Sequence, residues 1–151
     1  MDWLLNHSEQ LLAFPENDSF FLKPLEDIAG IKGPFSRSTP FQAHYTRMLT
    51  LLKSKALSTA DKETIVVCFA LAMSKFAIDY QKVTWELRLS DSRIGMYNAL
   101  LLVYDGIPNH PTTENPIHLT ATCLAAKGKI AFDFYCWHIL GAFPDSLAIN
   151  A

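Results

Sequence analysis

Apolar and polar residues follow a helical pattern along most of the chain. Thr39 and Pro40 form a good helix start, because a capping residue is followed by a proline at the first helical position. Apolar residues then recur at spacings of four, three, one and three, which is one face of a helix with 3.6 residues per turn. These residues are Phe41, Tyr45, Met48, Leu49 and Leu52.

The next segment predicts the longest helix of the chain. Ser58 or Thr59 caps its start, and acidic residues in its first turn suit the positive end of the helix dipole. No glycine or proline lies between residues 62 and 89, so the helix is expected to exceed 20 residues. Because residues 65–73 are apolar on every side, this part should be buried on every side.

The remaining segments also indicate helices. They comprise an amphipathic helix over residues 2–14, a short turn over 24–29, and helices over 90–104, 115–126 and 130–141. Loops rich in glycine or proline separate them at residues 30–40 and 105–116. We find no alternating run bounded by turn residues. The pattern therefore predicts an all-α bundle of about six helices around a long buried central helix.

Length and composition indicate a single domain with a slightly apolar composition. The chain has 151 residues, of which 50% are hydrophobic and 19% charged. A domain of this size buries roughly two-thirds of the surface that its unfolded chain exposes, so its core needs no disulfide or metal. Ten Phe, five Tyr and three Trp imply large apolar faces. We expect those faces to serve a core, a homo-oligomer contact or a small apolar organic molecule.

Charge and cysteine usage narrow the class further. The net charge is −2 and the 13 basic residues are scattered, which gives no sign of nucleic-acid binding. The longest apolar run, residues 65–73, is too short to span a bilayer, which takes about 20 residues. The N-terminus lacks a basic region and a small-residue cleavage site. With three distant cysteines, these features predict a cytoplasmic protein with reduced thiols and no membrane partner.

Three sequence segments, taken in order, resemble a known family. They are LLKSKALSTADKETIVV at residues 51–67, RLSDSRI at 88–94 and AAKGKIAFDFY at 125–135. Together they resemble the carboxymuconolactone decarboxylase / alkylhydroperoxidase D-like (AhpD-like) family. The resemblance implies an AhpD-like helical core over residues 33–143, preceded by an N-terminal extension over residues 1–32, and an oligomeric protein.

The chemical signature of that family is missing. Peroxidase-type members carry Cys-x-x-Cys-x-x-x-His after a glutamate that corresponds to Glu63. Alignment on Glu63 places Lys75, Ile78 and Lys82 at those positions, and a shift by one residue also supplies neither thiol nor imidazole. Peroxide reduction needs a thiolate pair, so the sequence argues against it. Residues 76–81 keep an aromatic residue but displace the acid of decarboxylase-like members, so that activity is not supported either.

Several residues remain candidates for chemistry. Lys75, Asp79, Lys82 and Glu86 have spacings of four, three and four, which would place them on one helix face. This stripe is a solvated face with salt bridges, a pocket in which Lys75, Asp79 and Lys82 act as acid/base groups, or a contact with a partner. Further candidates are Glu63, as a helix-start acid or the family's proton relay, and His44 and Tyr80, as substrate-binding or packed aromatic residues.

No metal ion or cofactor is predicted. The five histidines are dispersed and no two have the i, i+4 spacing of a helical metal site, while Cys136 and His138 would point to different helix faces. No glycine-rich phosphate loop is present. Two hypotheses stay open. One is a non-redox enzyme with acid/base or templating chemistry on an apolar molecule, and the other is an inactive helical binding or oligomerisation module.

Overall fold

The computed structural model describes residues 2–126 and 128–143. The helices are α1 (Asp2–Asn6), α2 (Ser8–Leu11), α3 (Ser19–Ala29), α4 (Phe41–Lys53), α5 (Thr59–Tyr80), α6 (Pro116–Ala126) and α7 (Gly128–Leu140). The strands are β1 (Thr84–Leu87), β2 (Leu100–Val103) and β3 (Thr113–Glu114), and a single 3₁₀ turn spans Gly95–Asn98. The predicted starts of α4 and α6 agree with these bounds to within one residue.

Helix α5 forms the centre of the core. Ser58 caps its start, where the backbone N–H of Asp61 donates to the Ser58 hydroxyl at 3.1 Å. The helix then runs for 22 residues, and an almost continuous stretch between Thr64 and Ala77 is buried. Burial on all sides follows from the absence of a polar face in this stretch.

Helices from both ends of the chain cover α5. Helices α1 and α3 pack on it from the N-terminal segment, and α6 and α7 pack on it from the C-terminal segment. Leu4, Leu11, Phe21 and Leu25 are completely buried in the same core as α5. The first 30 residues therefore contribute to the main core and do not form a separate layer.

The prediction of an all-α fold is wrong, because the described residues include a three-stranded antiparallel sheet. Its order is β1-β2-β3, with Leu87 opposite Leu100 and Leu102 opposite Glu114. The helix predicted over residues 90–104 is replaced by the 3₁₀ turn and β2. Along β2, fully buried Leu100 and Leu102 alternate with half-buried neighbours, which is the period of two that a strand requires.

Helix α5 ends earlier than the sequence pattern predicts. Lys82 takes a left-handed conformation with φ 56°, and the buried Val83 donates its backbone N–H to the Ala77 carbonyl at 3.3 Å. This closure ends the helix at Tyr80, so Lys82 lies beyond it and Glu86 lies on β1. The four-residue charged stripe predicted for one helix face is therefore wrong beyond Asp79.

Within the described residues, no helix combines the length and the apolar character needed to cross a membrane.

The left-handed conformation of Lys82 leads to a test of how α5 ends. We expect Lys82→Gly to keep the free energy of unfolding or to raise it by up to about 1 kcal/mol, since glycine adopts positive φ without a steric penalty. Lys23→Gly is the matched control, because Lys23 is an exposed lysine inside α3. It should lose about 1 kcal/mol. Urea denaturation measures both, and an equal loss in the two variants would contradict this account of the helix end.

Candidate functional site

Two adjoining hollows lie between α4, α5 and α6, and together they form what we call the α4–α6 trough. Each hollow has a volume of about 280 Å³, and both are lined by Leu52, Val66 and Ala121. The other lining residues are Leu49, Lys53, Thr59, Lys62, Glu63, Val67, Tyr97, Ile117, Leu124 and Ala125. The floor of the trough is therefore mostly aliphatic, and its charged groups come from α4 and α5.

Helical periodicity builds the walls of the trough. Along α5, Thr59, Lys62, Glu63 and Val66 follow at spacings of three, one and three, so they lie on one face of the helix, which borders the trough. On α6 the positions that face the trough include Ala121 and Ala125. Because a methyl group fills little space, these alanines leave the hollow open.

Polar groups line the edge of the trough that is formed by α5. Glu63 Oε2 lies 3.8 Å from the Arg93 guanidinium, which also lies 3.5 Å from Asp2 Oδ1. The Glu63 side chain is 29% exposed, so its carboxylate is partly enclosed and still reaches solvent. Lys62 and Lys53 add positive charge to the two hollows. The trough therefore has an apolar floor, and its charged groups lie along one side.

The other predicted catalytic residues are not part of this trough. Lys75 lies roughly 18 Å along α5 from Glu63, since each residue of a helix advances 1.5 Å. Its Nζ is 3.0 Å from Asp79 Oδ2 and 4.0 Å from Asp18 Oδ2, while Lys82 is exposed beyond the helix end. The structure thus brings Lys75 and Asp79 together as an ion pair and separates them from Glu63.

The predicted substrate-binding residues, His44 and Tyr80, belong to a row of packed aromatic rings. His44 stacks on Phe35 with ring centroids 5.6 Å apart, and Tyr80 stacks on Phe76 at 4.9 Å. Phe41 contacts both Phe35 and Phe76 and so links the two ends of the row. Neither residue is among the side chains that line the trough.

An arginine lies near each end of this row of rings, Arg47 near His44 and Arg37 near Tyr80. Burial lowers the pKa of His44, and the nearby positive charge of Arg47 lowers it further. The Arg37 guanidinium lies 5.7 Å from the centre of the Tyr80 ring and donates to the Tyr80 carbonyl at 3.1 Å. A packing role accounts for these contacts.

The three cysteines are unpaired and buried. Burial raises the pKa of Cys68 well above its usual range. Burial, helped by the charge of Glu114, raises the pKa of Cys123 to about 11, and burial raises that of Cys136 to about 12. All three are therefore thiols at neutral pH, and thiolate chemistry is not available to them.

A second group of polar residues converges away from the trough. His110 comes from the loop between β2 and β3, Glu114 from β3, and His138 from the last turn of α7. One potential ligand atom from each of them lies within 4.8 Å of the others. The His138 Nδ1 and Glu114 Oε1 atoms are 2.7 Å apart, and these side chains are only 18% and 13% exposed.

Spacing along the chain could not reveal this group, because its members come from three elements. The expectation of no metal site rests on two features of the sequence. No two histidines have the i, i+4 spacing of a helical site, and Cys136 and His138 would point to different helix faces. Part of a signal was present, since His110 and Glu114 lie four residues apart in the proline-rich loop at residues 105–116, but the third member, His138, lies on a distant segment.

Comparison with protein-family models, with curated proteins and with solved structures found no match to this chain. The resemblance to the AhpD-like family therefore stays a prediction.

The protonated state of the buried thiols can be tested directly. We expect the native protein at pH 8 to react with an aromatic disulfide reagent at least tenfold more slowly than the denatured chain, because the thiols are both buried and protonated. In denaturant all three thiols should titrate. A thiol that reacts rapidly in the native protein would contradict this assignment, and alkylation followed by peptide mapping would identify it.

Proposed function

We propose that the protein binds a small apolar organic molecule in the α4–α6 trough and acts on it as a non-redox enzyme, with Glu63 as the acid/base group. The observation that carries this proposal is the aliphatic trough with a partly enclosed carboxylate at its edge. Ligand sites in proteins are commonly concave, mostly apolar and supplied with a few polar groups that orient the ligand.

The chemistry of the lining residues defines the ligand. The aliphatic floor, which includes Leu52, Val66 and Ile117, favours a hydrocarbon or aromatic body. Lys53 and Lys62 favour a carboxylate or another anionic group on the same molecule. The ligand that we propose is therefore a small amphipathic acid. This is a narrower class than the small apolar organic molecule expected from the sequence.

The role of Glu63 follows from its position. It is the one carboxylate among the lining residues of the two hollows, and it borders apolar Val66 and Val67 on the same helix. A carboxylate held at the edge of an apolar bed can take a proton from a bound substrate and return it. The Arg93 guanidinium, 3.8 Å from Glu63 Oε2, adds positive charge beside this carboxylate.

The alternative function is a binding or oligomerisation module, and the exposed face of α7 favours self-association. Ile130 and Phe134 lie four residues apart and are 86% and 49% exposed. They border a shallow groove of about 300 Å³ on α6 and α7 whose other lining residues are Thr122, Cys123, Ala126 and Ala131. None of these residues is charged, so a second copy could place its own Ile130 in the groove. We propose a homo-oligomer formed through this face.

Ligand binding in the trough is tested with Ala121→Phe. This residue is exposed on α6 and borders both hollows, so a phenyl ring would fill the trough without disturbing the core. We expect at least tenfold weaker binding of anilinonaphthalene sulfonate, an aromatic anion, measured by fluorescence titration. Ala43→Phe is the matched control, since Ala43 is exposed on α4 and is not among the lining residues of either hollow. Equal affinity of both variants would contradict the proposed site.

The same titration, together with a turnover assay, distinguishes the two proposed functions when it is carried out with Glu63→Gln. The variant should keep its affinity for the probe. For a substrate identified by native mass spectrometry of the purified protein, its turnover should fall at least tenfold. Unchanged turnover would remove Glu63 from the mechanism, and no turnover in the unmodified protein would leave the binding module as the function.

Self-association through α7 is tested with Ile130→Asp. A buried, unpaired carboxylate is costly in an interface, so the variant should shift the molar mass measured by light scattering towards the monomer. Ile94→Asp is the control, because Ile94 is 80% exposed and lies outside this face. If both variants have the molar mass of the unmodified protein, α7 does not form the contact.

A further inference from the structure

The cluster of His110, Glu114 and His138 has the composition of a metal centre. Two imidazoles and one carboxylate are the ligand types that zinc and its neighbours among the divalent transition metals use. Hard ions such as calcium and magnesium prefer sites made of oxygen ligands only. The mixed nitrogen and oxygen set therefore selects the transition-metal class.

The ligand atoms lie close to the spacing that a metal ion would impose. Tetrahedral zinc has bonds of about 2.0–2.2 Å to nitrogen and oxygen, which places its ligand atoms roughly 3.3 Å apart. The three atoms here lie within 4.8 Å of one another, and the closest pair, His138 Nδ1 and Glu114 Oε1, is 2.7 Å apart. Binding of an ion would require His138 Nδ1 and Glu114 Oε1 to move apart by less than about 1 Å, with the ion in place of their hydrogen bond.

Backbone groups hold His110 in the manner of a metal ligand. Its Nδ1 atom lies 2.7 Å from the Pro111 carbonyl oxygen, which matches the second-shell contact that orients a ligating imidazole. Its ring also stacks on Tyr104, with centroids 4.0 Å apart. Tyr104 is itself fixed, because its buried hydroxyl donates to the Ile139 carbonyl. Both the angle and the depth of the His110 ring are thus set by the fold.

The electrostatic setting favours a cation. His110 Nε2 lies 3.0 and 3.1 Å from the carbonyl oxygens of Trp137 and His138, to which its N–H donates, and these carbonyls belong to the last turn of α7. Metal binding by Nε2 would replace this proton with the ion. The C-terminal end of a helix carries partial negative charge. Among the side chains that the structure describes, Glu114 forms an ion pair with His138 and with no lysine or arginine.

We propose that His110, Glu114 and His138 bind a divalent transition-metal ion of the zinc type. Three protein ligands leave one tetrahedral position for water or for a small anion. The ion would join the loop after β2, the strand β3 and the end of α7, which are distant in sequence. This site is separate from the α4–α6 trough and does not depend on the function proposed for it.

The proposal is tested on the full chain after removal of metal by a chelator. Isothermal titration with Zn²⁺ should give one site in the unmodified protein, and Glu114→Gln and His138→Gln should each weaken it at least tenfold. His118→Gln is the matched control, because His118 is exposed on α6 outside the cluster, and it should bind like the unmodified protein.

A second measurement keeps the test independent of folding defects. Co²⁺ bound by the cluster should show the absorption of a tetrahedral nitrogen and oxygen site, and circular dichroism should confirm that each variant is folded. Sulfur-to-metal charge-transfer bands would place the ion on cysteine and overturn the proposal. Zinc affinity in folded Glu114→Gln equal to that of the unmodified protein would also overturn it.

Discussion

The burial of α5 between Thr64 and Ala77 is the constraint on which the rest of the structure depends. Ile65, Phe69, Leu71, Met73 and Phe76 are almost inaccessible to solvent, and each large apolar side chain contributes about 1.5–3 kcal/mol when it is buried. A helical segment without a polar face must be covered on every side. Both ends of the chain are needed for that cover, and this explains why the N-terminal helices pack into the main core.

The starts of α4, α5 and α6 were predictable because their signals are local, whereas α3 begins at Ser19, well before the short turn predicted over residues 24–29. Ser58 accepts the hydrogen bond expected of an N-cap, and Pro116 begins α6 as its position after Asn115 indicates. The sheet was not predictable from the same signals. Residues 100–103 form a short apolar run, and such a run fits a helix as well as a strand until its partner is known. Pairing with residues 84–87 and 113–114 decides between the two.

The same distinction between local and distant contacts applies to the sites. Glu63 could be selected from its place in the first turns of α5, and it does border a trough. Lys82 was assigned to the wrong surface because the helix end at Tyr80 depends on Val83, whose burial is a tertiary effect. Sheet pairing places Glu114 opposite Leu102 and so brings it to His138. The cluster of His110, Glu114 and His138 could therefore not be predicted from the sequence, because the strand pairing was not predicted.

The position of β1 at the edge of the sheet has a consequence for aggregation. Edge strands present unpaired backbone groups to which another chain can add. Here the edge strand has only four residues, and Glu86 within it forms an ion pair with Arg88 at 2.9 Å. A short strand with charged side chains is a poor template for an incoming strand. Amyloid-like growth from this edge is therefore disfavoured, whatever contacts the helices make.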